Sequence, residues 1–486
     1  MRRRILPALI LALCLPARAQ GLPDLGDASS ASLSDAQERT IGNRIMREIR
    51  VDPLYVDDPE ISDYVKALGA RLLSASDVPA RPLEFFVVQD EVINAFALVG
   101  GHIGVHSGLI TLTMNEAELA GVIAHEISHI LQRHQARMMH AQRTGQLASL
   151  AALALAIIAA QRGGSQSGQI TEAAAASAGA LMAQTQLDYT REYEREADRV
   201  GITILERAGY DPRGMVSFFD RMLRANRLNE FKSAPAYLRT HPLTTERIAE
   251  MQDRIERMSP KLVPDSFEYR LARAKLLALA GSPGDAVKAF RAKLEDRTVV
   301  RPREDVYGLA LALLRARDFE GAWKTLAPLR ESGAQHPAFE RLAAQIRADE
   351  GRRDEAFAIY KAALRGHPNH RGLVYGYLDL LLQAGRPDEA LSDLRERLRN
   401  VQDDPKLYEL QARAYEATGR RVPQHRALAE AYFRRGNLAA AVDQLEIAVK
   451  VKGSDFYELS SAEARLRELR ALLENERTAE KALKIS

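Results

Sequence analysis

The sequence predicts a mainly α-helical protein in two parts. A helical domain with a small β-sheet is built around one metal-binding helix, and an α-solenoid of paired helices follows it. Three observations predict this. The segment Gly121 to His129 contains His-Glu-x-x-His, short apolar runs rich in β-branched and aromatic residues precede it, and Gly-Arg pairs recur every 34 residues beyond residue 262.

At 486 residues the chain has room for two or more domains. Arg2-Arg3-Arg4 precede an apolar run from Ile5 to Leu15, and Ala17-Arg18-Ala19 has the small-x-small form of a cleavage site. Residues 1–19 therefore read as a secretory signal peptide, with an apolar run too short to span a bilayer. Its removal takes four arginines and no acid, so the formal charge falls from +3 to −1. The basic pI thus gives no reason to expect a nucleic-acid partner. The only cysteine, Cys14, leaves too, and the mature chain has no disulfide to form. Both features suit the periplasm of a Gram-negative bacterium.

Residues 20–33, rich in Gly, Pro, Ser and Asp, read as a flexible lead-in. Ser34 with Gln37 forms a capping-box pattern that opens a helix through about Ile49, and a second helix runs from about Glu60 to Leu73. Leu83 to Val88 favours a strand; Ile93 to Val99 and His102 to His106 flank Gly100-Gly101. Together they predict a small antiparallel unit leading into the metal-binding helix. That helix starts at a second capping-box pattern, Asn115 with Glu118, and Leu119, Val122, Ile123, Ile127 and Ile130 supply its apolar side.

Leu147 to Ala160 is nearly all Ala, Leu and Ile, about 14 residues where a bilayer takes roughly 20. A buried helix is expected there. A lid hinged at Gly163 to Gly168 is the functional alternative, and peripheral membrane contact a third. An Ala-rich helix from about Thr171 then leads into Tyr193 to Asp198.

His125 and His129, four residues apart, lie on one helix face and can share one zinc ion. Glu126, next to the first ligand, is the carboxylate placed to take a proton from the attacking water. A catalytic zinc takes three protein ligands and keeps one position open. Residue 135, where a third histidine would complete one common pattern, is Gln, and His134 reads as a surface histidine at the helix end. A glutamate from a later helix is the other solution. Glu194 with Asp198, one turn apart, is the best source, Asp198 holding a ligand imidazole; Glu192 and Glu196 remain rivals for the ligand role.

Beyond residue 262 the texture becomes helix after helix. Gly351-Arg352, Gly385-Arg386 and Gly419-Arg420 are 34 apart, and Asp354-Glu355-Ala356 and Asp388-Glu389-Ala390 follow in register. Ala286, Ala322 and Ala441 fit the same slot with looser spacing. A period of 34 in paired helices is the tetratricopeptide repeat, here about four to five copies. The expected division is a metalloprotease domain over 20–261 and a repeat domain over 262–486. Tyr375, Tyr377, Tyr408 and Tyr415 are candidates for lining a concave groove.

His125-Glu126-x-x-His129 with Glu194-x-x-x-Asp198 resembles the zinc metalloprotease family that includes the CAAX prenyl endopeptidases and the HtpX heat-shock protease. Asn94-Ala95-Phe96, Gly100-Gly101-His102-Ile103 and a late His241-Pro242 with Arg247 extend the resemblance over nearly the whole mature chain. It implies a zincin-like metalloprotease domain with one zinc per chain, Glu194 as third ligand and Asp198 behind it. It also implies that His241 can approach the zinc and hold the enzyme off, or, when displaced, steady an oxyanion together with Arg247. Members with a signal peptide and C-terminal repeats act in the periplasm. The resemblance therefore implies unfolded or stalled outer-membrane proteins as substrates and the β-barrel assembly machinery as a partner of the repeats.

The expected reaction is peptide-bond hydrolysis, with Glu126 as general base and then acid. The strand around Gly101 to Val105 is expected to offer an edge for an extended substrate. The alternative function is a chaperone or adaptor that works mainly through the repeats. A purely structural zinc is disfavoured, because such sites close four protein ligands without a base beside them.

Overall fold

The computed structural model describes residues 34–77, 82–141, 191–228, 235–295, 302–332, 336–453 and 455–485. The expected signal peptide and lead-in, the apolar stretch 147–160, the glycine-rich hinge and the start of the Ala-rich helix lie outside the described residues. Among the described residues no helix is long and apolar enough to cross a membrane.

The chain opens on α1 (Asp35–Arg50), capped by Ser34 and Gln37 in a reciprocal capping box, with acids in its first turn and arginines in its last. α2 (Pro59–Ser74) starts at Asp58, whose carboxylate accepts from the N–H groups of Glu60 and Ile61. Three strands follow: β1 (Glu84–Val88), β2 (Ala95–Leu98) and β3 (His102–His106). Gly100 and Gly101, at φ +85° and +92°, make the turn that joins β2 to β3.

The sheet is not the antiparallel unit that the spacing suggests. Its order is β1-β3-β2, with β3 antiparallel to β2 and parallel to β1. β3 is therefore the central strand, paired on both sides, and the segment 101–105 has no free edge for a substrate. Local turn residues specify the β2–β3 hairpin, but the side on which β1 docks is set by long-range packing. α1 covers one sheet face through Ile41, Ile45, Met46 and Ile49 against Phe86, Phe96 and Leu98. On the other face Phe85, Val87, Ile103 and Val105 join the main core with α2 and the metal-binding helix.

That helix, α4 (Glu116–Leu131), follows the short α3 (Ser107–Leu112). Asn115 caps it as expected, accepting from the Glu118 N–H at 3.0 Å. The Glu118 carboxylate, however, reaches one residue further back, to the Met114 N–H, at 2.8 Å. The remaining elements of this part are α5 (His134–Ala141), α6 (Arg191–Arg207), α7 (Arg213–Arg227), α8 (Ala236–Thr240) and α9 (Thr245–Glu256).

Twelve helices follow among the described residues: α10 (Phe267–Leu279), α11 (Pro283–Glu295), α12 (Arg303–Arg315), α13 (Phe319–Glu331), α14 (Pro337–Asp349), α15 (Arg353–Gly366), α16 (Arg371–Gln383), α17 (Pro387–Asn400), α18 (Pro405–Ala417), α19 (Arg421–Arg434), α20 (Leu438–Ala448) and α21 (Phe456–Ile485). Gly351, Gly385 and Gly419 sit in the turns within three of the pairs at φ +89°, +69° and +70°, which is why glycine recurs at that place in the period. α10, α12, α14, α16 and α18 pack on one another as well as on their partners. One face of the array is thus made of first helices.

The array folds back onto the first part. Tyr269, Ala272 and Leu276 of α10 lie in the same core as Tyr64 and Val65 of α2. The first turn of α2 meets the first-helix face: Glu60 pairs with Lys275 of α10 at 2.6 Å and Arg341 of α14 at 2.6 Å, and accepts from the Tyr307 hydroxyl of α12 at 3.1 Å. Arg371 of α16 pairs with Asp63. Burial alone would raise the Glu60 carboxyl, but Arg341 and Lys275 overcome it and hold the group well below its ordinary range. The candidate groove tyrosines do not form one lining. Tyr375 bonds Asp404, Tyr377 packs on Phe357 and Tyr360, and Tyr408 and Tyr415 lie against Arg434 and Arg420.

Candidate metal centre

α4 is buried along most of its length because α6 and α7 cross it closely. A Cβ at Gly121 would lie 2.6 Å from Met215 of α7, and one at Gly201 of α6 would lie 3.2 Å from the His125 nitrogen. Those two glycines let the helices approach until side chains of α4 and α6 share a common point.

At that point His125 and His129 turn their Nε2 atoms toward each other, 3.0 Å apart. Glu194 of α6 faces both, with Oε2 3.4 Å from His125 Nε2 and Oε1 3.4 Å from His129 Nε2. His241, just after α8, brings Nδ1 to 3.1 Å from Glu194 Oε1 and Nε2 to 3.5 Å from Glu126 Oε1. One donor atom from each of His125, His129, Glu194 and His241 lies within 4.8 Å of the others, and all four residues are buried.

These residues fit a divalent cation. Three nitrogens and a carboxylate oxygen are the donor types that bind zinc. The two facing Nε2 atoms are 3.0 Å apart, close enough to share one proton or, in its place, one cation. Electrostatics agree: burial by itself lowers His125, yet hydrogen bonds to Asp198 and Glu194 raise it to about 9, so the pocket favours positive charge there. Burial holds His129 well below its ordinary value, neutral and able to donate a lone pair. Burial raises Glu126 above its ordinary value, although His241 and His125 pull it the other way.

Behind these groups lies a second layer. Asp198 Oδ1 is 3.0 Å from His125 Nδ1, so a metal-bound His125 would keep its proton on Nδ1, toward Asp198, and present Nε2 to the centre. Arg247 of α9, expected near an oxyanion, lies buried behind the acids. Its Nε and Nη2 each donate to Asp198 at 2.8 Å, and Nη1 meets Glu194 Oε2 at 2.8 Å and the Pro242 carbonyl at 2.7 Å. One guanidinium thus ties both carboxylates of α6 to the loop that carries His241.

Of the rival glutamates, Glu192 is exposed and Glu196 turns to His134 and Arg137. His134 is not the surface histidine its position suggests. It is fully buried, with Nδ1 2.9 Å from His129 Nδ1. The chain reaches this geometry through Arg133, at φ +52°, which breaks α4 from α5 and turns His134 back under His129. Nothing in the residue types announces an arginine in that conformation. Burial pushes His134 down to about 4 despite the nearby Glu196, leaving it neutral. Sequence reasoning also passes over Tyr237, fully buried and stacked on the His241 ring at 4.7 Å. A third such residue is Gln135, whose Nε2 donates to the Ala97 carbonyl of β2 at 2.6 Å.

The family model for Peptidase family M48 matches residues 59–255, and one for the Tetratricopeptide repeat matches residues 347–414. The chain is 33% identical over 460 residues to the β-barrel assembly-enhancing protease of Escherichia coli (strain K12), covering 94% of this chain and 92% of that one. It is 37% identical over 337 residues to the putative β-barrel assembly-enhancing protease of Vibrio cholerae, covering 67% and 68%. It is 30% identical over 228 residues to the metalloprotease YcaL of Escherichia coli (strain K12), covering 46% of this chain and 83% of that one. The protein is therefore a metallopeptidase, and the chain belongs to peptidase family M48, in the branch represented by the β-barrel assembly-enhancing proteases.

Proposed function

We propose that the chain is an exported, zinc-dependent endopeptidase that acts in the periplasm on unfolded or stalled outer-membrane β-barrel proteins. The observation that carries the chemistry is the buried convergence of His125, His129 and Glu194 beside the buried carboxylate of Glu126. We read the division of labour as protease domain over 20–261 and repeats over 262–486, with the signal peptide at 1–19. Substrate class rests on the names of the relatives, and compartment on the signal-peptide pattern of residues 1–19.

His125, His129 and Glu194 would hold the metal, which when bound supplies Lewis acidity toward a peptide carbonyl and toward water. The raised affinity of Glu126 for a proton suits it to take one from the attacking water at a carboxylate oxygen. The same oxygen then returns that proton to the amine as the C–N bond breaks. Asp198 keeps His125 in the tautomer that presents Nε2, and Arg247 holds Asp198 and Glu194 at their stations. A substrate strand is accommodated on β2, which has one free edge and lies against α4.

His241 is the gate in this reading. With donor atoms near both Glu194 and Glu126, it takes up the room in which substrate and water must meet. Displaced, the imidazole is available to the oxyanion; Arg247, committed to its carboxylates, serves by positioning. The test of the chemistry is Glu126→Gln in the full chain. Zinc content should persist while cleavage of an unfolded protein such as casein disappears, and undiminished cleavage would end the assignment.

The closed state of the site, with His241 only 2% exposed, favours a second reading in which the repeats act as chaperone or adaptor most of the time. Contact with the β-barrel assembly machinery belongs to that activity. Rescue of outer-membrane integrity by the Glu126→Gln protein, in cells lacking the gene, would favour it.

A further inference from the structure

The two histidines of α4 are oriented differently. His125 meets a carboxylate directly, through Asp198. His129 meets another imidazole, that of His134, at 2.9 Å between Nδ1 atoms. Since the Nε2 of His129 faces the centre, its Nδ1 carries the proton and donates it to the Nδ1 lone pair of His134. The proton of His134 is then on Nε2, which lies 3.2 Å from Glu196 Oε2. The donor direction is thus consistent along the whole path, from His129 through His134 to Glu196.

The surroundings hold His134 in that pose. The Tyr193 ring stacks on it at 4.7 Å between centroids and 17° between planes. Arg137 pairs with Glu196 at 3.0 Å and lies over the Tyr193 ring, 4.6 Å from its centroid. The turn at Arg133, pinned to Glu38 of α1 at 2.8 Å, sets the entry of α5. His134 itself is fully buried, whereas the Glu196 side chain keeps 22% of its exposure. Three acids spaced two apart on α6 therefore divide the work. Glu194 faces the centre, Asp198 orients one imidazole, and Glu196 orients the other through a relay.

We propose that His134, aligned by Glu196, is a positioning residue that fixes the tautomer and ring angle of the metal ligand His129. This rests on the reading of His129 as a ligand, and metal affinity separates the two claims. The free energy of holding a ligand ring in place appears in metal binding, and loss of such an outer partner typically weakens binding about 10–100-fold.

The experiment measures zinc affinity of the full-length, metal-stripped protein by competition with a chromophoric chelator. It compares wild type with His134→Leu, His134→Asn and Glu196→Gln, with the unfolding midpoint of each metal-free protein alongside. His134→Leu fills the space without an acceptor, whereas Asn places an amide oxygen near the lost Nδ1. The expected result is zinc affinity reduced about 10–100-fold in His134→Leu and largely restored in His134→Asn. Glu196→Gln should show a smaller loss with an unchanged unfolding midpoint, and because that residue is partly exposed it decides the matter if His134→Leu does not fold. Wild-type affinity in His134→Leu, or in Glu196→Gln if His134→Leu does not fold, overturns the proposal, as does equal loss in Leu and Asn. Failure of the wild type to bind zinc overturns the ligand reading itself.

Discussion

His241 Nε2 lies 3.5 Å from Glu126 Oε1, so the loop histidine and the expected base face each other across the site. Backbone and ring contacts hold the loop in that position: the His241 N–H bonds the Tyr237 carbonyl at 2.8 Å, and the Tyr237 N–H bonds the Ile93 carbonyl at 3.2 Å. The proposed gate is therefore anchored just ahead of β2, beside the proposed path of the substrate.

Replacing His241 with Ala should raise casein cleavage and self-cleavage. A site open for about a tenth of the time gains about tenfold when its plug is removed. The measurement is initial rate against zinc content. Lower activity at full zinc occupancy would instead assign the imidazole to the transition state.

Gln135 should compete with substrate for β2, because its carboxamide occupies the Ala97 carbonyl at 2.6 Å. Gln135→Ala removes a hydrogen bond worth about 1 kcal/mol. KM for an unstructured peptide should then fall about fivefold, with kcat little changed. A rise in KM would mean that Gln135 helps to hold the substrate.

Arg247→Ala should be among the most damaging single changes in the protease part. It takes the guanidinium from buried Asp198 and Glu194 and leaves them only imidazole partners, a loss of about 3–5 kcal/mol for a broken buried pair. Urea unfolding of the metal-free protein measures it, and an unchanged midpoint would contradict the role given to this guanidinium.

The contact between the repeats and α2 should weaken in acid. Glu60 is held well below its ordinary 4.5 by Arg341 and Lys275, and Glu84 is lowered to about 2, against burial, by His102 and Arg50. A carboxyl with a depressed folded pKa stabilises above its unfolded value, and that stabilisation is lost as pH falls from about 4.5 through the folded value. Unfolding free energy should therefore drop steeply below about pH 4.5, and Glu60→Gln should flatten the slope. An unaltered slope in Glu60→Gln would remove Glu60 as its source.

Much of the site was legible because its first part is local. His125 and His129 sit four apart on a helix whose cap, Asn115, and apolar side are written in adjacent residues. Glu194 and Asp198 repeat that spacing, and Gly351, Gly385 and Gly419 mark turns that only a residue at ease with positive φ adopts without strain. Spacing could not choose Glu194 over Glu192 and Glu196, since the choice depends on which face of α6 meets α4.

By itself the sequence determined the capped starts of α1 and α4, the glycine turns, the 34-residue period and the shared helix face of His125 and His129, since each depends on contacts a few residues apart. Only the tertiary structure decided the rest. It placed β3 in the middle of the sheet, moved the free edge to β2, and turned His134 from the surface to a place under His129. It also closed the repeats on Glu60, through partners more than 200 residues away in sequence. Those features arise where distant segments compete to bury the same surface and satisfy the same charges, and no local pattern records the outcome.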